Sequence, residues 1–342
     1  MSSASLPPNE DSNGHYFCRT QIWTKPSAPP PHTTVDGQAA IITGSNTGIG
    51  LEAANVLLGL KLSHLILGVR SVSKGNTAAD ALRKAYPHAK IEVWQLDMAS
   101  YDSIQTFVRR CHSLDRLDIA IMNAAFSVLE FGTNTTTGHE QMFQVNYLST
   151  ALLSILLLPI LKNKSPPQTP GRLTLVSSTL ALRANFPNHS AVPLTPSFDD
   201  PQVFVGAGTN NAYSLSKTLV LILMVKLSRL VNADDVVVNA VGPALTGGSS
   251  QLDRHYSRLM KLGLAALKAV AAHSPRQAAW LYVDGSVTKG KESHGSFIIN
   301  NEYYPFHAIM YTAEGKVAMD RLWNETLEEL DFAHVKDILA QM

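Results

Sequence analysis

The chain has little cysteine, little charge and no long apolar run. Two of its 342 residues are cysteines, Cys18 and Cys111. Two cysteines cannot staple a disulfide scaffold, and their spacing fits no metal site, so no metal is expected. Charged residues make up 16% of the chain, against roughly 25% in ordinary soluble domains. Lys+Arg number 28 and Asp+Glu 27, a net charge of +1. That balance leaves no face-wide basic surface for nucleic acid. Hydrophobic residues at 45% exclude disorder over most of the length. The first 35 residues contain no apolar core behind basic residues, so no secretory signal is read there. The most apolar run, 151–161, spans about 11 residues, whereas a transmembrane helix needs about 20. It is expected to be a buried helix. The expectation is a cytoplasmic protein with no transmembrane segment, in which the sequons at Asn134, Asn188 and Asn324 carry no meaning.

Residues 1–36 form an extension in which Pro7, Pro8, Pro26, Pro29, Pro30 and Pro31 are expected to break regular structure. Ile22 and Trp23 are its expected anchors. From residue 37 the chain alternates short apolar runs with amphipathic segments. Strands are expected at 39–43, 64–69, 91–96, 118–122, 172–177 and 236–241, and helices at 48–60, 73–86, 102–112, 140–161 and 211–231. Apolar runs without polar alternation are strands buried on both faces, hence a parallel sheet built from βαβ units. The expected architecture is α/β: one doubly wound Rossmann domain, 37–342, with a mostly parallel, seven-stranded sheet and a helical C-terminal cap. Residues 295–299 are the expected edge strand. Residues 250–290 are expected to be helical, and 313–330 to form a closing helix.

The first strand runs into Thr43-Gly44-Ser45-Asn46-Thr47-Gly48-Ile49-Gly50 and then a helix. Glycines there let the backbone approach a pyrophosphate, and the helix N-terminus offers it N–H groups. The strand–loop–helix context lifts a common glycine pattern to a dinucleotide site. About 20 residues on, a site for NAD would carry an acid for the ribose 2′-hydroxyl. Arg70 stands there, with Lys74 one turn later. A guanidinium suits a 2′-phosphate, so NADPH is the expected cofactor.

Tyr213 and Lys217 lie at i, i+4, on one helix face. A nearby ammonium stabilises a phenolate and lowers the tyrosine pKa, so the phenol can pass a proton to a carbonyl oxygen. Such a pair alone says little. Its weight comes from Ser177 and Ser178 at the end of the fifth strand and Asn123 at the end of the fourth, the edge where parallel sheets bind ligands. Asn146 falls in an apolar helical stretch, where a buried amide needs partners. A satisfied structural asparagine and a water-holding relay to Lys217 both fit it.

Together these residues resemble the short-chain dehydrogenase/reductase family, over about residues 37–330. Thr43-Gly44-x-x-x-Gly48-Ile49-Gly50 resembles its cofactor loop, with Ser45 and Asn46 inside it. Leu96-Asp97 resembles its adenine-contacting Asp, and Asn123-Ala124-Ala125 its Asn-Ala-Gly element. Asn146, Ser178, Tyr213 and Lys217 match its catalytic four. The resemblance implies that hydride moves between nicotinamide and a carbonyl carbon while Tyr213 handles the proton. Lys217 would lower the Tyr213 pKa and hold the ribose, Ser178 would fix the oxygen, and Asn146 would refill the proton through water. Some 34 residues separate Ser178 from Tyr213, as in the retinol-dehydrogenase-like branch. The Pro-rich leader resembles fungal members that tailor polyketides or terpenoids.

Two departures stand out. Ala125 replaces a glycine, which is tolerable where φ is negative. After the sixth strand, Gly242-Pro243-Ala244-Leu245-Thr246-Gly247-Gly248 puts Thr246 two residues before the family's amide-contacting Thr. The substrate-facing segments are expected to be 179–210 and 246–272, with Leu180, Phe186, Phe198, Phe204, Leu252, Tyr256, Leu259, Met260 and Leu264 walling a pocket for a lipophilic carbonyl or alcohol. The alternatives are a non-catalytic NADP-binding regulator and a non-redox tailoring enzyme on the same fold. Helices 140–161 and 211–231 resemble family dimer faces and leave a homodimer open. Residues 262–272 are able to lie on a membrane surface.

Overall fold

The first strand, β1 (Ala39–Thr43), is buried at every position, which is what an apolar run between two helical layers requires. Ile41 faces one core, with Ile66, Ala120, Leu173 and Leu175; Ala40 and Ile42 face the other, with Leu65, Leu67 and Ile121. The alternation is the pleat of a strand with apolar neighbours on both sides. The computed structural model describes residues 2–206, 211–247, 265 and 267–342.

The remaining strands are β2 (His64–Val69), β3 (Lys90–Gln95), β4 (Ile119–Met122), β5 (Gly171–Val176), β6 (Val236–Val241), β7 (Phe297–Ile299) and β8 (Glu302–Tyr304). Their order is β3-β2-β1-β4-β5-β6-β7-β8. All neighbours pair parallel except β7 and β8, which are antiparallel. The order reverses between β1 and β4, so the crevice at their C-terminal ends is the topological switch point.

The main helices are α1 (Asn13–Phe17), α2 (Gly48–Gly59), α3 (Val72–Ala85), α4 (Tyr101–Cys111), α5 (Ser149–Lys164), α6 (Pro201–Gly206), α7 (Asn211–Leu230), α8 (Pro275–Val283), α9 (Ala313–Glu329) and α10 (Val335–Ala340). Those in the sheet layers lie within a residue or two of the positions set by periodicity, apart from the long helix that α5 belongs to and the part of 250–290 outside the described residues. A π-turn, Phe143–Leu148, leads into α5. Together they make a continuous apolar helix, Phe143–Lys164, long enough to cross a membrane. Yet 83% of its apolar window is buried within the protein, so it is a core helix. The chain's own C-terminal helices pack on the helices that resemble dimer faces. Tyr147 bonds Thr326 of α9 at 2.9 Å, Lys226 of α7 pairs with Asp320 of α9, and Leu339 of α10 joins the core that contains α5.

Two expectations need correction. The sheet has eight strands, not seven, because β8 folds back on β7. The turn is Asn300-Asn301, with φ of +49° and +66°. Asparagine tolerates this left-handed region better than most residues, and a turn of this hand suits a two-residue hairpin. The N-terminal segment is also more ordered than its proline content suggests: its prolines bound a helical stretch, α1 and a π-turn at Cys18–Trp23. Ile22 and Trp23 are 48% and 63% exposed and anchor nothing. Ser3, Tyr16, Thr20 and Gln21 are buried in their place. The Phe297 N–H donates to Ser3 Oγ at 2.8 Å, and Asn300 Nδ2 donates to the Thr20 carbonyl at 2.7 Å. The segment is tied to β7 and its hairpin by polar bonds, which a search for apolar anchors misses.

The 179–210 insertion is fastened by an ion network. His139 Nδ1 lies 2.9 Å from Asp199 and Nε2 lies 3.3 Å from Glu329. Burial alone would lower the His139 pKa, but the two carboxylates raise it to about 9. A group raised in the fold gives its full stabilisation below its unfolded value near 6.5 and loses it as pH climbs through about 9. His139→Gln should therefore lower Tm at pH 6.5 and remove part of the decline in Tm between pH 6.5 and 9. Parallel Tm–pH curves for the two proteins would disprove the ion network.

Candidate active site

The loop after β1 is shaped for close approach. Gly44 and Gly48 have φ of +65° and +62°, which glycine alone adopts without cost. A Cβ at Gly50 would sit 2.5 Å from Asn123 Nδ2, and one at Gly44 would sit 3.0 Å from Ala124 Cα. Ser45 is buried and donates to the Ile42 carbonyl at 2.7 Å, so it holds the loop. Asn46 and Ile49 are half-buried, and Gly48 is exposed. At the start of α2 the Thr47 side chain makes no cap. A helix N-terminus left open behind a glycine loop is a cradle for phosphate, so the residues present fit a dinucleotide.

Asn123 closes the switch point. Its Nδ2 donates to the carbonyls of Thr43 at 2.8 Å and Gly44 at 3.2 Å, and its Oδ1 accepts from the Tyr282 hydroxyl at 3.0 Å. All of its amide is engaged within the chain, so it supports the loop. Tyr282, on α8, is a buried partner that sequence spacing could not reveal. Ala125 is not among the residues with positive φ, so its methyl is accommodated. At the end of β3, Asp97 is half-buried and its Oδ1 accepts from the Ala99 N–H at 3.0 Å. Arg70 and Lys74 are exposed at the end of β2 and the start of α3. Neither pairs with an acidic group among the described residues.

Ser178, Tyr213 and Lys217 come together from β5 and α7. The carboxamide of Asn211 clamps the backbone of Asn185, accepting at 2.7 Å and donating at 2.9 Å. This fixes the start of α7 on the insertion. Thr218 donates to the Ala181 carbonyl at 2.7 Å, and Ser177 to the Lys217 carbonyl at 2.8 Å. The side chain of Ser177 is thus structural, and Ser178 is the serine beside the tyrosine. Ser178 Oγ also accepts from the Leu180 N–H at 3.2 Å, capping a short turn. Burial pushes the half-buried Tyr213 phenol up to about 12, opposed by a hydrogen bond from Ser178. Lys217 is buried, and burial pulls its pKa down to about 7. Its Nζ donates to the Val176 carbonyl at 2.8 Å and lies 5.8 Å from the Tyr213 ring centre. Burial dominates for both groups and shifts each toward its neutral form.

Asn146 lies in the π-turn and is 1% exposed. It accepts from the Phe126 N–H and donates to the Phe126 carbonyl and to Ser216 Oγ, each at 3.0 Å. Its amide braces the segment after β4 against the neighbour of Lys217. Thr246 is buried, and its hydroxyl donates to the Ala244 carbonyl at 2.9 Å. Gly248, Leu252, Tyr256, Leu259, Met260 and Leu264 lie outside the described residues. Of the other expected pocket residues, Phe186, Phe198 and Phe204 belong to the interior: Phe198 stacks on Phe143 at 4.5 Å, and Phe204 meets Phe131 edge-on at 5.7 Å. They pack the insertion down, and Phe198 and Phe204 also line a small cavity with Phe143, Leu215 and Ser216. Leu180 remains 39% exposed beside Ser178, and half-buried Phe126, Val128 and Leu129 follow Asn123 along the same edge of the sheet.

A sequence pattern described as short chain dehydrogenase matches residues 38–191. The chain is 48% identical to the short chain dehydrogenase/reductase mfmJ of Annulohypoxylon moriforme, covering 100% of this chain and 99% of that protein. It is 41% identical to the short chain dehydrogenase virL of Hypocrea virens, over 94% and 93% of the two. Among solved structures it resembles an NADP complex of RhlG from Pseudomonas aeruginosa, with TM-score 0.60, 20% identity and coverage of 82% and 98%. It also resembles L-sorbose reductase from Gluconobacter frateurii, solved with NADPH and L-sorbose, with TM-score 0.59, 19% identity and coverage of 81% and 97%.

The buried lysine has a measurable cost. Because its pKa is depressed in the fold, the unfolded chain binds the extra proton between about pH 7 and 10.5, so this group adds stability as pH rises through that window. At pH 7, with no dinucleotide added, Lys217→Met should raise Tm by a few degrees. A lower Tm would mean that the bond to Val176 outweighs the burial of the ammonium.

Proposed function

The chain belongs to the short-chain dehydrogenase/reductase family, and on that footing we propose that it is an NADPH-dependent reductase of a lipophilic ketone or aldehyde in a fungal biosynthetic pathway. The observation that carries the proposal is the meeting of Ser178, Tyr213 and Lys217 at the sheet edge that also holds the glycine loop. The loop from Gly44 to Gly50 and the open start of α2 would hold the pyrophosphate, and Asp97 the adenine side. Arg70, exposed and without an acidic partner among the described residues, offers a bidentate fork to a 2′-phosphate, and Lys74 adds charge. Reduced nicotinamide, when bound, supplies the hydride.

The protein's part is to handle the oxygen and the proton. Ser178 Oγ, beside Tyr213, can donate to a carbonyl oxygen and fix its position. A phenol pushed up to about 12 is fully protonated at neutral pH, so Tyr213 enters the step as an acid. It passes its hydroxyl proton to the oxygen as negative charge develops there. The ammonium of Lys217 then stabilises the phenolate left behind. With a pKa near 7, Lys217 can itself release and regain a proton near neutrality. Leu180, Phe126, Val128 and Leu129 give this edge an apolar lining, which favours a lipophilic substrate.

Tyr213→Phe should lower kcat by roughly 10²–10⁴-fold with the dinucleotide Kd changed less than threefold. A mutant turning over at near-normal rate would remove Tyr213 from the chemistry. In calorimetric titrations NADPH should bind at least tenfold more tightly than NADH, and Arg70→Ala should erase most of that gap while leaving NADH binding unchanged. Equal binding of both dinucleotides by the wild-type chain would overturn the preference for NADPH, and binding of neither would overturn the enzyme.

A further inference from the structure

The proline-bounded N-terminal segment reaches the site from outside the sheet. Gln21 is 2% exposed, with its carboxamide on the loop that follows β6. Its Oε1 accepts from the Leu245 N–H at 2.8 Å, and its Nε2 donates to the carbonyls of Leu245 at 3.0 Å and Ala271 at 2.5 Å. The same loop closes on residues 271–273 through His273 N–H to the Leu245 carbonyl and Gly247 N–H to the His273 carbonyl, both 2.9 Å. One carboxamide therefore joins Leu245, after β6, to Ala271, before α8. The start of that loop lies against the catalytic serine: a Cβ at Gly242 would sit 3.3 Å from the main chain of Ser178.

Tyr16, five residues before Gln21, bonds the residue that follows that serine. Its hydroxyl donates to the Thr179 carbonyl at 2.8 Å. Arg183, at the end of the same turn, lies 4.7 Å from the Tyr16 ring centre and donates to the Asp11 carbonyl at 2.6 Å. The segment thus grips the loop after β6 with one residue and the Ser178 turn with another. A surface extension held only by its own stability would need neither.

We propose that Gln21 is a positioning residue of the active site, fixing the Leu245–Thr246 loop on the dinucleotide side while Tyr16 fixes the Ser178 turn on the substrate side. This rests on the reading of the site given above. It extends that site to a segment with none of the family's motifs. The segment works by geometry, holding two loops of the C-terminal sheet edge at a set spacing.

The test uses the full chain with Gln21→Met, which keeps the length of the side chain and removes all three hydrogen bonds. Without dinucleotide, hydrogen exchange in the peptide covering 242–247 should speed up at least tenfold, with Tm within about 3 °C of wild type. The NADPH Kd should rise about tenfold, and KM for the dinucleotide should rise more than kcat falls. Thr24→Ala, which loosens the same segment from Asn300 (Nδ2 to Thr24 Oγ1, 2.7 Å), should leave exchange at 242–247 and the Kd unchanged. If Gln21→Met does not fold, Gln21→Glu, which keeps the acceptor for Leu245, should show the same changes at smaller size. Unchanged exchange at 242–247 would overturn the proposal, as would a freed loop with unaltered Kd, or equal effects from Thr24→Ala. If wild-type chain binds neither dinucleotide, the cofactor reading fails, and the exchange result alone decides whether Gln21 holds the loop.

Discussion

A lysine ammonium brought into the interior is the constraint to which the surrounding structure answers. Lys217 is 3% exposed, and its ammonium bonds the Val176 carbonyl at the end of β5. A charge so placed shifts its pKa or finds partners. Burial pulls the Lys217 pKa down to about 7, and the Val176 carbonyl offers its ammonium a partner. The arrangement demands that α7 sit at one fixed height on β5. Ser177 on the Lys217 carbonyl, Thr218 on Ala181 and Asn211 on Asn185 set that height. Asn146 and Ser216 extend the same brace to the segment after β4. They hold an unfavourable burial in place, with the Lys217 Nζ 5.8 Å from the Tyr213 ring centre.

Much of this was legible in the sequence. The i, i+4 spacing puts Tyr213 and Lys217 on one face wherever α7 lies, and the glycine loop needs only a strand before it and a helix after it. Both depend on local geometry, which sequence encodes directly. What could not be read depends on distant segments. Phe198 and Phe204 look the same in a sequence whether they line a pocket or pack an insertion, and in the fold they do both, with Phe198 stacked on Phe143 beside a small cavity. Asn146 left two roles open, and its bonds to Phe126 settle where its amide points. Tyr282 meets Asn123 from a helix 159 residues away in the chain. The Asn300-Asn301 turn was a local signal and could have been found, since two asparagines between apolar runs mark a hairpin.

The N-terminal segment shows how composition misleads. Proline density speaks to regular structure, but it says nothing about docking. Pro8 and Pro26 bound a stretch whose buried residues, Tyr16, Thr20 and Gln21, are polar or amphipathic. Tyr16 and Gln21 find backbone partners far away in sequence, and the Thr20 carbonyl accepts from the Asn300 side chain. Search by hydrophobicity selects Ile22 and Trp23, which face outward. A segment added to a finished core has little apolar surface left to bury, so it docks through hydrogen bonds to backbone groups at the sheet's edge and loops.

The low charge content has the same root. α7 is buried along nearly its whole length, and so is the helix from Phe143 to Lys164. A helix apolar all round must be covered on every side. Here α9 and α10 supply the outer cover that the sheet cannot, with Tyr147 on Thr326 and Lys226 on Asp320 fastening it. The C-terminal helices therefore cover part of the apolar faces of α5 and α7 within the chain. The C-terminal helices thereby help to position Tyr213 and Lys217, which lie on a helix they cover. An insertion joined to them through His139 and Glu329 belongs to the same unit. The site is thus held from the sheet, from the closing helices and from the N-terminal segment, and the loops between these supports are where its specificity has room to vary.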